Sequence, residues 1–279
     1  MDSRAQVLIN ATELVQRLQS GDPVVVLDVR WRLEEPDGLR AYLDGHIPGA
    51  VYVPLEDELT DHSVAGRGRH PLPSGASLQA AGRRWGINEG DLIVVYDDWN
   101  RAGSGRAWWV LTAAGLDVRI LDGGLSAWRS AGGTLESGPV EPQPGNVTVR
   151  HQDLYAGKLP TLTAEQVNTQ PLLDARAPER FRGEVEPVDA VAGHIPGAKN
   201  LPSGAVLAAD GTFLDEQAVG RLLSDRGVNG SVGAYCGSGV TASVVVAALA
   251  AAGHQAALFP GSWSEWISDP DRPIGRGAD

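Results

Sequence analysis

The chain carries one cysteine, Cys236, among 279 residues. An internal disulfide is therefore excluded, and with it the class of small secreted folds stapled by bridges. Long apolar runs are also missing, so no segment approaches the length of a membrane span. The opening residues Met1-Asp2-Ser3-Arg4-Ala5-Gln6 lack the apolar stretch of an export signal. These absences lead us to expect a cytoplasmic protein that works away from membranes. Positive charge is scarce: 23 Lys and Arg stand against 35 Asp and Glu, a net charge of −12. That balance argues against nucleic acid as a partner, because such surfaces are basic. Metal-ligand patterns are missing as well, with no second cysteine, no paired histidines and only scattered carboxylates. Gly103-Ser104-Gly105 lacks the spaced third glycine of a dinucleotide fingerprint. We expect neither a metal nor a cofactor.

What the chain does have is a duplication. His46-Ile47-Pro48-Gly49-Ala50 recurs as His194-Ile195-Pro196-Gly197-Ala198, and Leu27-Asp28-Val29-Arg30 recurs as Leu173-Asp174-Ala175-Arg176. Asp122-Gly123-Gly124-Leu125-Ser126-Ala127-Trp128 returns as Pro260-Gly261-Ser262-Trp263-Ser264-Glu265-Trp266. Asn10-Ala11-Thr12-Glu13 and Thr163-Ala164-Glu165-Gln166 both read as capping boxes that start helices. Landmarks in the same order mean two copies of one domain. Between the copies, Gly138-Pro139-Val140-Glu141-Pro142-Gln143-Pro144-Gly145 is too rich in proline and glycine to propagate a helix or a central strand. The boundaries expected are 1–138 for the first domain, 139–146 for a linker and 147–279 for the second.

Each copy alternates strand and helix. Val24-Val25-Val26-Leu27 and Leu92-Ile93-Val94-Val95-Tyr96 are continuous apolar runs of the kind found in buried parallel strands. A helix over 106–114, stopped by Gly115, and a strand over 118–121 follow. The second copy repeats this with a strand over 232–235, a helix over 241–252 stopped by Gly253 and a strand over 256–259. The expected fold is α/β, a parallel sheet covered by helices on both faces in each copy. In such sheets ligands bind beyond the carboxyl ends of the strands.

Cys236 falls at such an end, in Tyr235-Cys236-Gly237-Ser238-Gly239-Val240-Thr241-Ala242. A buried small hydrophobe is the plainer use of a free cysteine. Gly237 and Gly239 beside it favour a nucleophile instead, because they let backbone N–H groups curl around one sulfur. An unperturbed thiol, with a pKa of about 8.5, is mostly protonated at neutral pH. The amides of 237–242 and the N-terminus of the following helix are expected to hold the sulfur as a thiolate facing a crevice that solvent can reach. In the first copy Asp97 stands opposite Cys236, so that copy has no nucleophile there. Phosphatase-like enzymes use a similar cradle with an arginine six residues after the cysteine. Here that residue is Ala242, and no arginine occurs from Cys236 to Pro270.

The duplicated landmarks, the thiol loop, Tyr42-Leu43-Asp44-Gly45 before the first His-Ile-Pro-Gly-Ala and Phe259-Pro260 before the terminal tryptophans together resemble the two-domain rhodanese family of sulfurtransferases. The resemblance spans essentially the whole chain. It implies two tandem rhodanese-like domains, the first inactive and the second catalytic. It also implies transfer of a sulfane sulfur from 3-mercaptopyruvate or thiosulfate, through a Cys236 persulfide, to cyanide or a thiol such as reduced thioredoxin. A non-catalytic sulfur carrier of the same fold is the alternative, ahead of a phosphatase-like enzyme.

The loop is similar to that of the mercaptopyruvate enzymes, since thiosulfate-preferring members carry cations where this chain has Gly237 and Ser238. By resemblance, Ser238 and an acidic residue of the first copy, matched by Glu56 where Asp is usual, relay a proton. Gly237, Gly239, Val240 and Thr241 line the sulfur, Arg180 binds the anionic donor, and His70 faces the cleft from the first domain. The mercaptopyruvate enzymes usually have a second arginine where this chain has Asp189. Arg182 or Arg101 is the expected compensation. His46 and His194 recur in both copies whether or not a nucleophile is present. They are expected to be buried imidazoles bonded to backbone.

Overall fold

The computed structural model describes residues 2–278. Its residues cluster into two compact units, each discontinuous in sequence. One holds the described residues up to 61, 72–159 and 208–213; the other holds 62–71, 160–207 and the described residues from 214 onward.

In the first unit, β1 (Leu8–Ile9), β2 (Val24–Asp28), β3 (Val51–Tyr52), β4 (Leu92–Tyr96) and β5 (Val118–Leu121) form one parallel sheet in the order β1-β5-β4-β2-β3. Strand β4 is apolar and buried from end to end, as its central place demands. Asn10 caps the first helix: its side chain accepts the Glu13 N–H at 2.8 Å and starts the helix Ala11–Ser20, while the Glu13 carboxylate pairs with Arg17. The helix Ala102–Ala113 is buried almost all round and carries Trp108 and Trp109 inward. Leu14, Val26, Val94, Tyr96, Leu121 and Trp128 belong to the core.

In the second unit, β6 (Leu172–Asp174), β7 (Lys199–Asn200), β8 (Val232–Tyr235) and β9 (Ala256–Leu258) form a parallel sheet in the order β7-β6-β8-β9. A parallel bridge from Thr161 to Leu258 extends it at the β9 edge. The helix Thr241–Ala251, built only of Thr, Ala, Ser, Val and Leu, is buried along nearly its whole length. Phe181, Ile195, Tyr235, Phe259, Trp263 and Trp266 pack the core. Burying each such side chain contributes roughly 1.5–3 kcal/mol.

The second capping box departs from expectation. The Thr163 N–H does donate to Gln166 Oε1 at 3.0 Å, but only turns and a short 3-10 helix, Val167–Thr169, follow. Val167 and Thr169 are β-branched, and Pro171 arrives before an α-helix has length to propagate.

Both units repeat one buried polar network. The His46 ring bonds through Nδ1 to the Tyr42 carbonyl at 2.9 Å, and the His194 ring to the Phe181 carbonyl at 2.8 Å. Tyr96 Oη accepts the Ile47 N–H, and Tyr235 Oη accepts the Ile195 N–H. Beneath them lie the ion pairs Arg30–Asp28 at 3.0 Å and Arg176–Asp174 at 2.6 Å, all four side chains almost fully buried. These residues tie the start of β3 or β7 to the central strands, which accounts for their recurrence in both copies. No helix among the described residues is long and apolar enough to cross a membrane.

Candidate active site

Strand β8 ends at Tyr235, and the next residue is Cys236. The chain then turns through 237–240 into the helix Thr241–Ala251. The N–H of Gly239 points back at Cys236 Sγ, 3.1 Å away. Gly239 has φ +81°, and a Cβ there would lie 2.3 Å from the Pro260 carbonyl oxygen. Only glycine permits both that conformation and that approach. The Gly239 carbonyl in turn accepts the Ser243 hydroxyl at 3.0 Å, which pins the loop to the helix.

A second set of bonds fixes the cysteine backbone. The Cys236 N–H donates to Ser262 Oγ at 3.1 Å, and the Cys236 carbonyl accepts the Trp263 N–H at 3.0 Å. The Gly237 carbonyl accepts the Ser264 N–H at 2.9 Å. Ser262 holds φ +53°, an uncommon conformation for a side-chain-bearing residue. Its hydroxyl, donating to the Phe259 carbonyl at 2.9 Å, is thereby aimed at the Cys236 amide.

Around Gly237 stand three charged groups. A Cβ on that residue would meet Arg69 Nη2 at 3.1 Å, Arg180 Nη2 at 3.7 Å and Asp189 Oδ2 at 3.8 Å. Asp189 bridges the cations: Arg69 Nη1 bonds to one carboxylate oxygen and Arg180 Nη2, at 3.2 Å, to the other. Glu186 accepts from Arg180 Nη2 at 2.6 Å and from Nε at 3.2 Å. Burial raises the Glu186 carboxyl, but the Arg180 guanidinium and the backbone N–H groups of Asp189 and Val188 outweigh it and hold the group below its usual range. Arg176 is also near-fully buried. Burial works against its charge, yet the Asp174 carboxylate prevails and holds the guanidinium above its usual value.

The expected site residues divide as follows. Cys236, Gly237, Ser238, Gly239, Val240 and Thr241 form one continuous turn in the second unit, and Arg180 reaches over it. Cys236 is only 2 % exposed, so the sulfur sits deeper than an open crevice would place it. Ser238, two residues further on, is also buried. Arg180 pairs with Glu186 and Asp189, not with Glu179 or Glu184. His70 lies in the segment 62–71, which packs within the second unit; it is buried, its ring 6.2 Å from that of His62. Arg182 does not take up the role of the missing second arginine over Gly237: its guanidinium pairs at the surface with Glu184 at 2.7 Å.

Two expected residues lie in the first unit. Glu56, in the short helix Leu55–Glu58, accepts a bond from Trp31 Nε1 at 2.6 Å. Arg101 is buried with φ +64° and pairs with Asp97 at 3.0 Å. Asp97 itself accepts the N–H groups of Trp99, Arg101 and Ser104, so a carboxylate fills the turn before the helix Ala102–Ala113. Arg69 was not among the expected residues. The one signal for it was Asp189, an acid that needed a cation near the donor arginine. Among the described residues, no cluster of His, Cys, Asp and Glu could hold a metal ion.

Comparison with known proteins places these features in company. The rhodanese-like domain matches this chain twice, over residues 10–131 and 159–269. SseB of Mycobacterium tuberculosis (strain ATCC 25618 / H37Rv), provisionally named a thiosulfate sulfurtransferase, is 70% identical over 282 residues and aligned over 99% of each chain. A protein of Pseudomonas aeruginosa PAO1, provisionally named a 3-mercaptopyruvate sulfurtransferase, is 44% identical over 97% of this chain and 98% of its own. The crystal structure of SseA from Escherichia coli, described with the rhodanese fold of the 3-mercaptopyruvate enzymes, superposes with a TM-score of 0.79 at 32% identity, covering 92% of this chain and 98% of that one.

Proposed function

Because this chain belongs to the rhodanese family and is a sulfurtransferase, we propose that Cys236 in the second repeat is the sulfur-carrying nucleophile and that the first repeat, with Asp97 in the corresponding turn, takes no covalent part. The observation that carries this reading is the Gly239 N–H aimed at Cys236 Sγ. An N–H dipole directed at sulfur favours negative charge on it, and the same turn accommodates the outer sulfur of a persulfide.

With thiosulfate, the Cys236 thiolate attacks the outer sulfur. The new S–S bond forms as the old one breaks, and its electron pair leaves with sulfite. With 3-mercaptopyruvate, attack on the thiol sulfur breaks the C–S bond, and the pair departs as the enolate of pyruvate. That enolate takes up the thiol proton, a transfer we assign to Ser238. In either case an acceptor nucleophile, cyanide or a thiol such as reduced thioredoxin, then attacks the outer sulfur and returns the thiolate. Arg180 binds the donor anion, Gly237, Val240 and Thr241 shape the pocket, and His70 lines it. Catalysis is assigned to 147–279, and the expected setting is the cytoplasm.

The test is intact-mass analysis before and after donor, beside steady-state rates with thiosulfate and 3-mercaptopyruvate. One added sulfur on Cys236, discharged by cyanide over many turnovers, is expected. The Cys236→Ser variant is expected to lose sulfur loading and at least a thousandfold in rate. Full transfer by that variant would refute the assignment, and loading without turnover would favour a carrier.

A further inference from the structure

Arg180 is half of the arginine pair that sequence resemblance leads one to expect, and Asp189 stands where the other half would be. Arg182 is engaged elsewhere, with Glu184. The guanidinium that does reach the sulfur turn within the second unit is that of Arg69. Its Nη2 lies closer to the Cβ direction of Gly237 than that of Arg180 does, 3.1 Å against 3.7 Å. Gly237 directly follows the sulfur-bearing residue.

Two contacts hold Arg69 there. Its backbone N–H donates to Ser264 Oγ at 3.0 Å, and Ser264 is the residue whose own N–H fixes the Gly237 carbonyl. Its Nη1 is bonded to Asp189, a carboxylate only 4 % exposed. The Arg69 side chain is 34 % exposed, against 14 % for Arg180. Of the two guanidinium groups over the turn, Arg69 is therefore the more open to an arriving anion. The acids matter to this picture. Asp189 and Glu186 balance Arg69 and Arg180, so the turn offers oriented N–H donors without a large net charge. Such donors favour an anion with several oxygens that can meet two planar guanidinium groups, as a sulfonate or a carboxylate can.

We propose that Arg69 is the second donor-binding residue of this sulfurtransferase, its guanidinium held over Gly237 by Asp189 in place of an arginine at position 189. The proposal rests on the sulfur-transfer reading above. Arg69 binds the anionic end of the donor and leaves the chemistry at Cys236 to proceed at its own rate once donor is bound.

The experiment measures donor KM, kcat and cyanide KM for the parent, Arg69→Gln and Arg69→Lys, with intact mass of each after saturating donor. Arg69→Gln is expected to raise donor KM at least tenfold, with kcat and cyanide KM within about twofold of the parent and Cys236 still loaded at saturation. Arg69→Lys, which keeps charge without the planar fork, falls between the two. An unchanged donor KM in either variant, or a fall in kcat at constant donor KM, overturns the proposal, since a residue that only ties 62–71 to the second unit would behave that way. If Arg69→Gln does not fold, Arg69→Lys carries the same test. A parent protein that acquires no sulfur at all would instead sink the function assigned to Cys236.

Discussion

Gly239 is the residue on which the sulfur turn depends most directly. Its amide serves Cys236, its φ of +81° is unfavourable for any other residue, and the Pro260 carbonyl occupies the space a methyl would need. Gly239→Ala should cost about 1–3 kcal/mol of stability through the backbone alone. It should also lower sulfur transfer at least a hundredfold, because the amide can no longer point at the sulfur. Thermal melting and thiosulfate–cyanide assays of the purified variant measure the two effects separately. A variant with parental activity would show that this amide is dispensable. Asp28 supports a prediction of another kind. Burial lifts its carboxyl to about 6, against the opposing pull of Arg30 and the Tyr96 hydroxyl. A raised carboxyl contributes stability fully below the unfolded value near 4, and loses that contribution as pH rises through 6. The stability difference between the parent and Asp28→Asn should therefore shrink from pH 4 to pH 7, by about 3 kcal/mol at most. Urea unfolding of both proteins across that range is the measurement.

At the scale of elements, a turn joins β4 or β8 to a buried helix in each unit, and the two turns are filled differently. In the second unit a sulfur receives an amide; in the first, the Asp97 carboxylate receives three amides, the Ser104 hydroxyl at 2.6 Å and the Arg101 guanidinium. Asp97→Ala would leave the buried Arg101 cation without its counter-ion and those amides without their acceptor. A loss of about 3–5 kcal/mol in chemical unfolding is expected, and a loss below 1 kcal/mol would contradict this account. The strands at the heart of each sheet were legible because buried parallel strands are written as unbroken apolar runs, as in Leu92–Tyr96. The turn at Cys236 was legible because two glycines follow the cysteine at the end of an apolar run, where a continuing strand has no use for them. Strands of two residues, such as Lys199–Asn200, carry no period to read. The helix expected from Thr163 failed because a cap marks a start, and only the following residues decide whether a helix continues. Arg69 was illegible for a different reason. Its segment lies between landmarks of the first copy yet packs in the second unit, a pairing with Asp189 that no local pattern announces.

Over the whole molecule, duplication has kept the same buried polar scaffold in both copies. His46 and His194 each bond through Nδ1 to a backbone carbonyl, and Tyr96 and Tyr235 each accept an isoleucine N–H. The net charge of −12 sets the background against which the oriented guanidinium donors at Gly237 must attract an anion. Local guanidinium groups do that work, because fields from distant surface acids are screened within about 8 Å at physiological salt. The depth of Cys236 carries a last implication. A sulfur with 2 % of its residue open to water meets peroxide and bulky disulfides rarely. On the proposed assignment of Cys236 as the sulfur carrier, a slender nucleophile such as cyanide should discharge it faster than a broad thiol of equal strength, and the shape of the acceptor should rank its partners.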